Sequence, residues 1–210
     1  MSRVSIRPVQ VNGWSRSVRE LYQLTKYRLQ GSPVPPPRAI KLKWIRYFQS
    51  RFQLHCFVES GTFHGETVAA VANRFDRVLS IELDGRLWEN AVQRFRAQPR
   101  VTIMQGDSGE VLAHALARFD GPCLFWLDGH YSGGTTAKAE RNTPILAELQ
   151  AIRRYMNPYH VILIDDARLF DGTDDYPTHD KVVDMLQAMN PEYTVRVVDD
   201  MYQAFAVKRP

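Results

Sequence analysis

Short apolar runs alternate with longer amphipathic stretches from residue 54 to residue 189, and this alternation constrains the fold more than any other feature. The apolar runs have the length of strands and cover His55–Glu59, Arg77–Glu82, Val101–Gln105, Cys123–Asp128 and His160–Asp165. The amphipathic stretches have helical spacing and cover Glu66–Arg74, Arg86–Arg96, Gly109–Arg118, Pro144–Tyr155 and Asp180–Met189. Strands joined by helix-length crossovers can pair in parallel, and helices then cover both faces of the sheet. The sequence therefore predicts a doubly wound α/β domain with a mostly parallel, Rossmann-like sheet.

The last two strand-like runs break the alternation. Tyr193–Val198 and Gln203–Lys208 are separated by only four residues, and so short a link requires an antiparallel hairpin. The prediction is a seven-stranded sheet that ends in this hairpin, within a domain of residues 54–210.

Residues 1–53 are predicted to form a basic, helical N-terminal extension. Helical spacing covers Val18–Leu29 and Ala39–Phe52, and the proline-rich segment 31–37 separates them. Residues 1–50 carry ten lysines and arginines against one acid, Glu20. A basic segment with interleaved aromatic residues fits a surface for nucleic acid or an anionic glycan. It fits equally well an arm that lies on the acidic body of its own chain.

Two further features indicate the compartment. Cys56 and Cys123 each lie inside an apolar run, which predicts buried, reduced thiols. The sequence has no run of about 18 apolar residues, and residues 1–10 lack the apolar core of a signal peptide. We expect a cytoplasmic protein.

Acidic residues close the first strands of the predicted sheet, where ligands bind in open α/β folds. Glu59 and Glu82 end the first two strands, and Asp107 follows the third. Gly61 and Gly65 permit a tight turn after Glu59 that brings backbone amides close to a ligand. Each acid has a local alternative as a helix N-cap.

The segments 58–65, 81–82 and 106–108, together with the terminal hairpin, resemble the class I S-adenosylmethionine-dependent methyltransferases over about residues 55–208. Within that superfamily they are most similar to the macrocin O-methyltransferase group, which acts on sugar hydroxyls with a divalent metal. The resemblance implies S-adenosylmethionine as the cofactor. It implies cofactor contacts from Glu59, Gly61, Thr62, Phe63, Gly65, Thr67, Glu82, Asp107, Ser108 and Asp128. Glu59, Gly61 and Gly65 would line the methionine part, Glu82 would hold the ribose, and Asp107 would face adenine. The sequence departs from the superfamily at Phe63, where a glycine is common.

A second acidic cluster is predicted at the ends of the fourth and fifth strands. If these strands are neighbours, Asp128, Asp165 and Asp166 converge beside the cofactor cleft. Such carboxylates repel one another unless a cation or protons neutralise them, and oxygen ligands suit Mg²⁺ or Mn²⁺. In the alternative, Asp165 caps a helix and Asp166 pairs with Arg168.

His130 is the best candidate for a catalytic base, acting beside Asp128. It lies two residues after Asp128 in a glycine-rich loop, where an imidazole can accept a hydroxyl proton near neutral pH. A histidine that only orients the substrate is the alternative.

These observations predict a methyltransferase that transfers a methyl group to a hydroxyl of a sugar or another polar metabolite, with a divalent metal. The expected partner is a small-molecule or glycan acceptor; we expect neither nucleic acid nor a membrane, and a homo-oligomer stays open. One alternative is a noncatalytic methyltransferase-like module that binds nucleic acid or an anionic glycan through its basic arm. A nicotinamide-dependent dehydrogenase is disfavoured by Phe63 and by the terminal hairpin.

Overall fold

The computed structural model describes residues 15–129 and 143–207, and these residues build a seven-stranded sheet with helices on both faces. In chain order the strands β1 to β7 are Cys56–Ser60, Arg77–Glu82, Val101–Gln105, Cys123–Leu127, Val161–Ile164, Thr194–Val198 and Met201–Phe205. The helices α1 to α7 are Arg16–Leu29, Arg38–Phe52, Glu66–Val71, Gly85–Phe95, Ser108–Leu116, Ile145–Arg154 and His179–Met189. Two short 3₁₀ helices, Ala72–Arg74 and Ala167–Leu169, complete the set. The predicted fold class is confirmed.

The order of the strands is β3-β2-β1-β4-β5-β7-β6, with β1 to β5 parallel and β7 antiparallel to both of its neighbours. The chain runs outward from β1 through β2 to β3 and then returns to place β4 on the other side of β1. The carboxyl ends of β1 and β4 therefore flank the point where the order reverses, which is where open α/β sheets bind their ligands.

The terminal hairpin is tighter than predicted. Its turn consists of Asp199 and Asp200, both with left-handed backbone angles (φ 50° and 60°), which matches a two-residue turn between twisted strands. Met201 and Tyr202, which the sequence had suggested as part of the link, pair with Val198 and Val197 instead. Strand β7 ends at Phe205, and Lys208 lies outside the described residues.

The N-terminal extension contributes to the core of the sheet. Helix α2 buries five residues, Ala39, Ile40, Leu42, Ile45 and Phe48. They belong to the same hydrophobic cluster as Phe57 of β1 and Trp126 of β4. The boundary predicted at residue 53 therefore does not separate two hydrophobic cores. Helix α1 lies outside α2, and Tyr27 is its one residue in the buried cluster.

Cys56 and Cys123 face each other in register on β1 and β4. Both are free and buried, as predicted. In the described part of the chain, no helix is both long enough and apolar enough to cross a membrane.

Candidate functional site

Glu59 is a buried carboxyl group at the end of β1, and hydroxyl groups surround it. Ser80 on β2 donates a 2.5 Å hydrogen bond to Glu59 Oε2. Because the Ser80 proton is used in that bond, Thr62 donates to Ser80 Oγ at 2.6 Å. Burial is the main reason that the pKa of Glu59 is raised to about 8; the negative charges of Asp128 and Glu82 contribute to this rise, and hydrogen bonds from Ser80 and Thr67 oppose it. The protonation state of the Glu59 carboxyl group should therefore change when a charged group binds beside it.

The loop after β1 follows a path that requires left-handed backbone angles. Gly61 has φ 81°, and a Cβ atom there would lie 2.5 Å from the carbonyl oxygen of Asp128. A Cβ atom at Gly65 (φ 71°) would lie 2.7 Å from the ring of Phe95. Phe63 also takes a left-handed angle, with φ 49°, although it is not a glycine. Phe63 stands where the superfamily commonly has a glycine, and its backbone angle is one that glycine readily adopts.

Glu82 is a buried carboxylate at the end of β2, with both oxygens on backbone amides. Its Oε2 accepts a 2.7 Å bond from Phe63 N, and its Oε1 accepts a 2.9 Å bond from Asp84 N. Each carboxylate oxygen can accept a second hydrogen bond. Glu82 therefore orders the loop after β1 and keeps acceptor capacity for a diol.

The third strand is followed by the N-cap of a helix. Asp107 is the N-cap of α5, and its Oδ1 accepts a 2.8 Å bond from Gly109 N. The N-cap alternative for Asp107 is therefore present in the structure. The hydroxyl of the next residue, Ser108, is buried and donates to Glu148 of α6 at 2.6 Å. The hydroxyl of Ser108 thus points toward α6, and the cofactor contact predicted for Ser108 stays a prediction.

Asp128 and Asp165 follow neighbouring strands at the same edge of the sheet. Leu127 of β4 pairs with Ile164 of β5, and Asp165 N donates to Leu127 O at 3.0 Å. Asp165 is 1% exposed, and burial raises the pKa of its carboxyl group. The strands are therefore neighbours, as the prediction of a carboxylate cluster required.

The positive charge beside this cluster comes from Lys41 on α2, which the sequence analysis did not identify. Its Nζ donates to Asp165 Oδ2 and lies 3.7 Å from Asp166 Oδ1. The stem of Lys41 is largely buried, with 21% of the side chain exposed. The one sequence signal was a lysine between two apolar residues, Ile40 and Leu42, that face the core.

Arg168 provides a second positive charge. It pairs with Asp166 at 2.8 Å and also donates to Asp200. The predicted Asp166–Arg168 alternative is therefore present. Asp165 does not cap a helix, because the following 3₁₀ helix begins after Asp166 and has no side-chain cap.

The described residues do not fit the predicted divalent metal at Asp128, Asp165 and Asp166. Within residues 15–129 and 143–207, no group of three or more His, Cys, Asp and Glu side chains is arranged to hold a metal ion. Lys41 and Arg168 already lie on the carboxylates that would have to bind it. His130, the predicted base, lies outside the described residues.

A small cleft lies beside Asp165. The side chains and backbone that line it include Gly129, Ile145, Glu148, Asp165, Phe170 and Tyr176. Asp165 Oδ1 is buried there without a hydrogen-bond partner among the described residues. The cleft thus places a buried acceptor atom without a described partner beside mostly apolar walls.

No protein-family model and no curated protein matches the sequence, whereas solved structures match the fold. An O-methyltransferase from Bacillus cereus in complex with SAH is 14% identical with a TM-score of 0.59, and the match covers 92% of this chain and 93% of that one. The SAH-bound Podospora anserina methyltransferase PaMTH1 is 15% identical with a TM-score of 0.57, covering 97% and 99%. The O-methyltransferase TomG from Streptomyces achromogenes, in complex with SAM, is 14% identical with a TM-score of 0.56, covering 98% and 93%. The resemblance noted in the sequence thus holds for the fold, and the chain has the architecture of the class I S-adenosylmethionine-dependent methyltransferases.

Proposed function

We propose that this protein is an S-adenosylmethionine-dependent methyltransferase that acts on a hydroxyl group of a sugar or another polar metabolite. One observation carries the proposal: Glu59 and Glu82, both buried, lie at the ends of adjacent strands beside the point where the strand order reverses. The SAH-bound and SAM-bound O-methyltransferases with the same fold support it.

The cofactor would bind across the ends of β1, β2 and β3. The cationic amino and sulfonium groups of S-adenosylmethionine favour the ionised form of Glu59, so that binding near neutral pH would release a proton. The remaining acceptor capacity of Glu82 suits the two ribose hydroxyls. Gly61 permits close approach of the loop, and Asp107, the half-buried N-cap of α5, would face the adenine amine.

In the transfer step, the acceptor oxygen attacks the methyl carbon while the carbon–sulfur bond breaks, which releases S-adenosylhomocysteine. The hydroxyl proton passes to a base, for which His130 stays our candidate beside Asp128. The sulfonium carries its own electrophilicity, so the chain mainly orients the acceptor and accepts this proton. No step is assigned to a divalent metal, because Lys41 occupies the carboxylate that would bind it.

Calorimetry with S-adenosylmethionine, S-adenosylhomocysteine and NAD tests the proposal directly. We expect the first two ligands to bind and NAD not to bind. A folded protein that binds neither sulfur compound would refute the proposal, and selective binding of NAD would favour a dehydrogenase. Radiolabelled methyl transfer to a panel of sugars and hydroxylated metabolites would then define the acceptor.

The noncatalytic nucleic-acid module is less well supported, because the basic extension pairs with acids of its own chain. Arg46 binds Glu20 at 2.7 Å, and Arg38 lies 3.8 Å from Glu66. We therefore expect weak oligonucleotide binding. A salt-sensitive, submicromolar interaction would overturn this expectation.

A further inference from the structure

We propose that Lys41 is a permanent internal counter-ion of the carboxylate site, holding the position for which the sequence predicts a divalent metal. Helix α2 is thereby part of the candidate active site, and Lys41 is a positioning residue for Asp165. This inference concerns the protein before any cofactor or acceptor binds, and it stands independently of the proposed function.

Helix α2 holds the backbone of Lys41 in place through the residues on either side of it. Ile40 and Leu42, on either side of it, are both buried against the sheet (0% and 2% exposed). The backbone of Lys41 is therefore fixed by core packing, and its partly buried stem directs the ammonium toward Asp165. The docked helix therefore keeps Lys41 within reach of Asp165.

Negatively charged carboxylates lie around the ammonium group of Lys41. Asp165 contacts it directly, and Asp166 Oδ1 lies 3.7 Å from it. The Asp165 side chain is fully buried, and leaving such a charge without its partner is strongly destabilising. The pair is therefore held together in the folded protein.

A divalent cation at this site would need carboxylate oxygens that Lys41 and Arg168 also contact. Mg²⁺ requires six oxygen ligands in near-octahedral geometry, and Mn²⁺ favours similar oxygen ligands. Lys41 donates to Asp165 Oδ2 and Arg168 donates to Asp166 Oδ1, while Asp165 Oδ1 has no partner among the described residues. A divalent cation that bound Asp165 would lie close to the ammonium of Lys41, and the repulsion between the two cations opposes its entry.

Titration of the full-length protein with Mn²⁺ tests the inference, with bound Mn²⁺ measured by electron paramagnetic resonance and by the shift in melting temperature. We expect no saturable site in the wild type. Lys41→Met keeps the length of the side chain and removes its charge, and we expect it to bind Mn²⁺ at least about tenfold more tightly. Adding Asp165→Asn to that variant should abolish the gain. Lys43→Met is the matched control, since Lys43 lies on the same helix over the ring of Trp44, and it should behave as the wild type.

Saturable Mn²⁺ binding by the wild type that Asp165→Asn removes would overturn the inference. A folded Lys41→Met variant without increased Mn²⁺ affinity would also overturn it. If Lys41→Met does not fold, Lys41→Arg decides the matter: it should fold without binding Mn²⁺, and Mn²⁺ binding by it would count against the inference. The readout needs neither cofactor nor acceptor, so failure of the proposed methyltransferase function is detected separately, by calorimetry with S-adenosylhomocysteine.

Discussion

The backbone amide of Phe63 donates a 2.7 Å hydrogen bond to Glu82 Oε2, and this bond ties the loop after β1 to the end of β2. A ligand that binds Glu82 therefore meets a loop that the same carboxylate has already ordered. Phe63 itself has a left-handed backbone angle in this loop. Local strain of this kind persists where surrounding contacts over-determine the backbone.

Replacing Glu82 with alanine should weaken S-adenosylhomocysteine binding by about 1.5–3 kcal/mol, because charge-assisted bonds to the ribose and the anchor of the loop are lost together. Calorimetry measures the change. Glu89→Ala is the control, since Glu89 is exposed on α4, and it should bind normally. Unchanged affinity in a folded Glu82→Ala variant would refute the ribose role.

Replacing Gly61 with alanine should destabilise the protein more than the same change at Gly121. Both residues have left-handed angles (φ 81° and 85°), which cost alanine about 1–2 kcal/mol at either position. A Cβ atom at Gly121 meets nothing within 4 Å, whereas at Gly61 it meets the backbone of Asp128 at 2.5 Å. Denaturant unfolding of the two variants isolates the contact, and equal losses would show that the close approach is unimportant.

The pH dependence of stability should reveal the buried Glu59. Its pKa of about 8 in the folded protein lies above the ordinary 4.5, so the native state holds this proton more tightly than the unfolded chain does. Stability from this group is fully present below pH 4.5 and decreases as the pH rises toward 8, by at most about 1.4 kcal/mol per pH unit.

Glu59→Gln stays neutral, so its stability relative to the wild type should increase between pH 5 and pH 8 by about the same slope. Urea unfolding at several pH values measures this difference. Glu89→Gln should show no such trend, and a constant difference for Glu59→Gln would contradict the raised pKa.

Removing α1 should be tolerated, whereas removing α2 should not. A variant that begins at Pro37 loses one buried residue of the core, Tyr27. It should stay folded and bind S-adenosylhomocysteine. A variant that begins at Arg51 loses the five buried residues of α2 and the Lys41 partner of Asp165, so we expect no cooperative thermal transition. A cooperative transition in the shorter variant would show that residues 54–210 fold independently.

His130→Ala should lower turnover by about 10²–10⁴-fold once an acceptor is known, while S-adenosylmethionine affinity stays close to that of the wild type. His114→Ala, an exposed change on α5, should leave both unchanged. Wild-type turnover in the His130 variant would remove the histidine from the mechanism.

Periodicity and strand-end residues were sufficient to predict the architecture. The bounds of β2 and β3 agree with the prediction at both ends, and the Asp166–Arg168 pair was recognised as an alternative. These features depend on neighbours in the sequence or on the regular spacing of side chains.

The Lys41–Asp165 pair could not be predicted in the same way. It joins residues 124 positions apart, and which carboxylate meets the lysine depends on how α2 packs across the sheet. Ser108 illustrates the same limit, since its hydroxyl direction depends on the position of Glu148 in a later helix.

Asp199, in the turn of the terminal hairpin, accepts hydrogen bonds from Tyr27 of α1 and Trp44 of α2. Phe48 of α2 also packs against Phe205 of β7, with ring centroids 5.1 Å apart. Helices α1 and α2 therefore acquire some of their final partners only after β6 and β7 have been synthesised. Contacts of such long sequence separation slow folding, and Phe48 lacks its packing against Phe205 until β7 has been synthesised. Until the hairpin has formed, this part of α2 is consequently an exposed apolar surface that favours aggregation or chaperone binding.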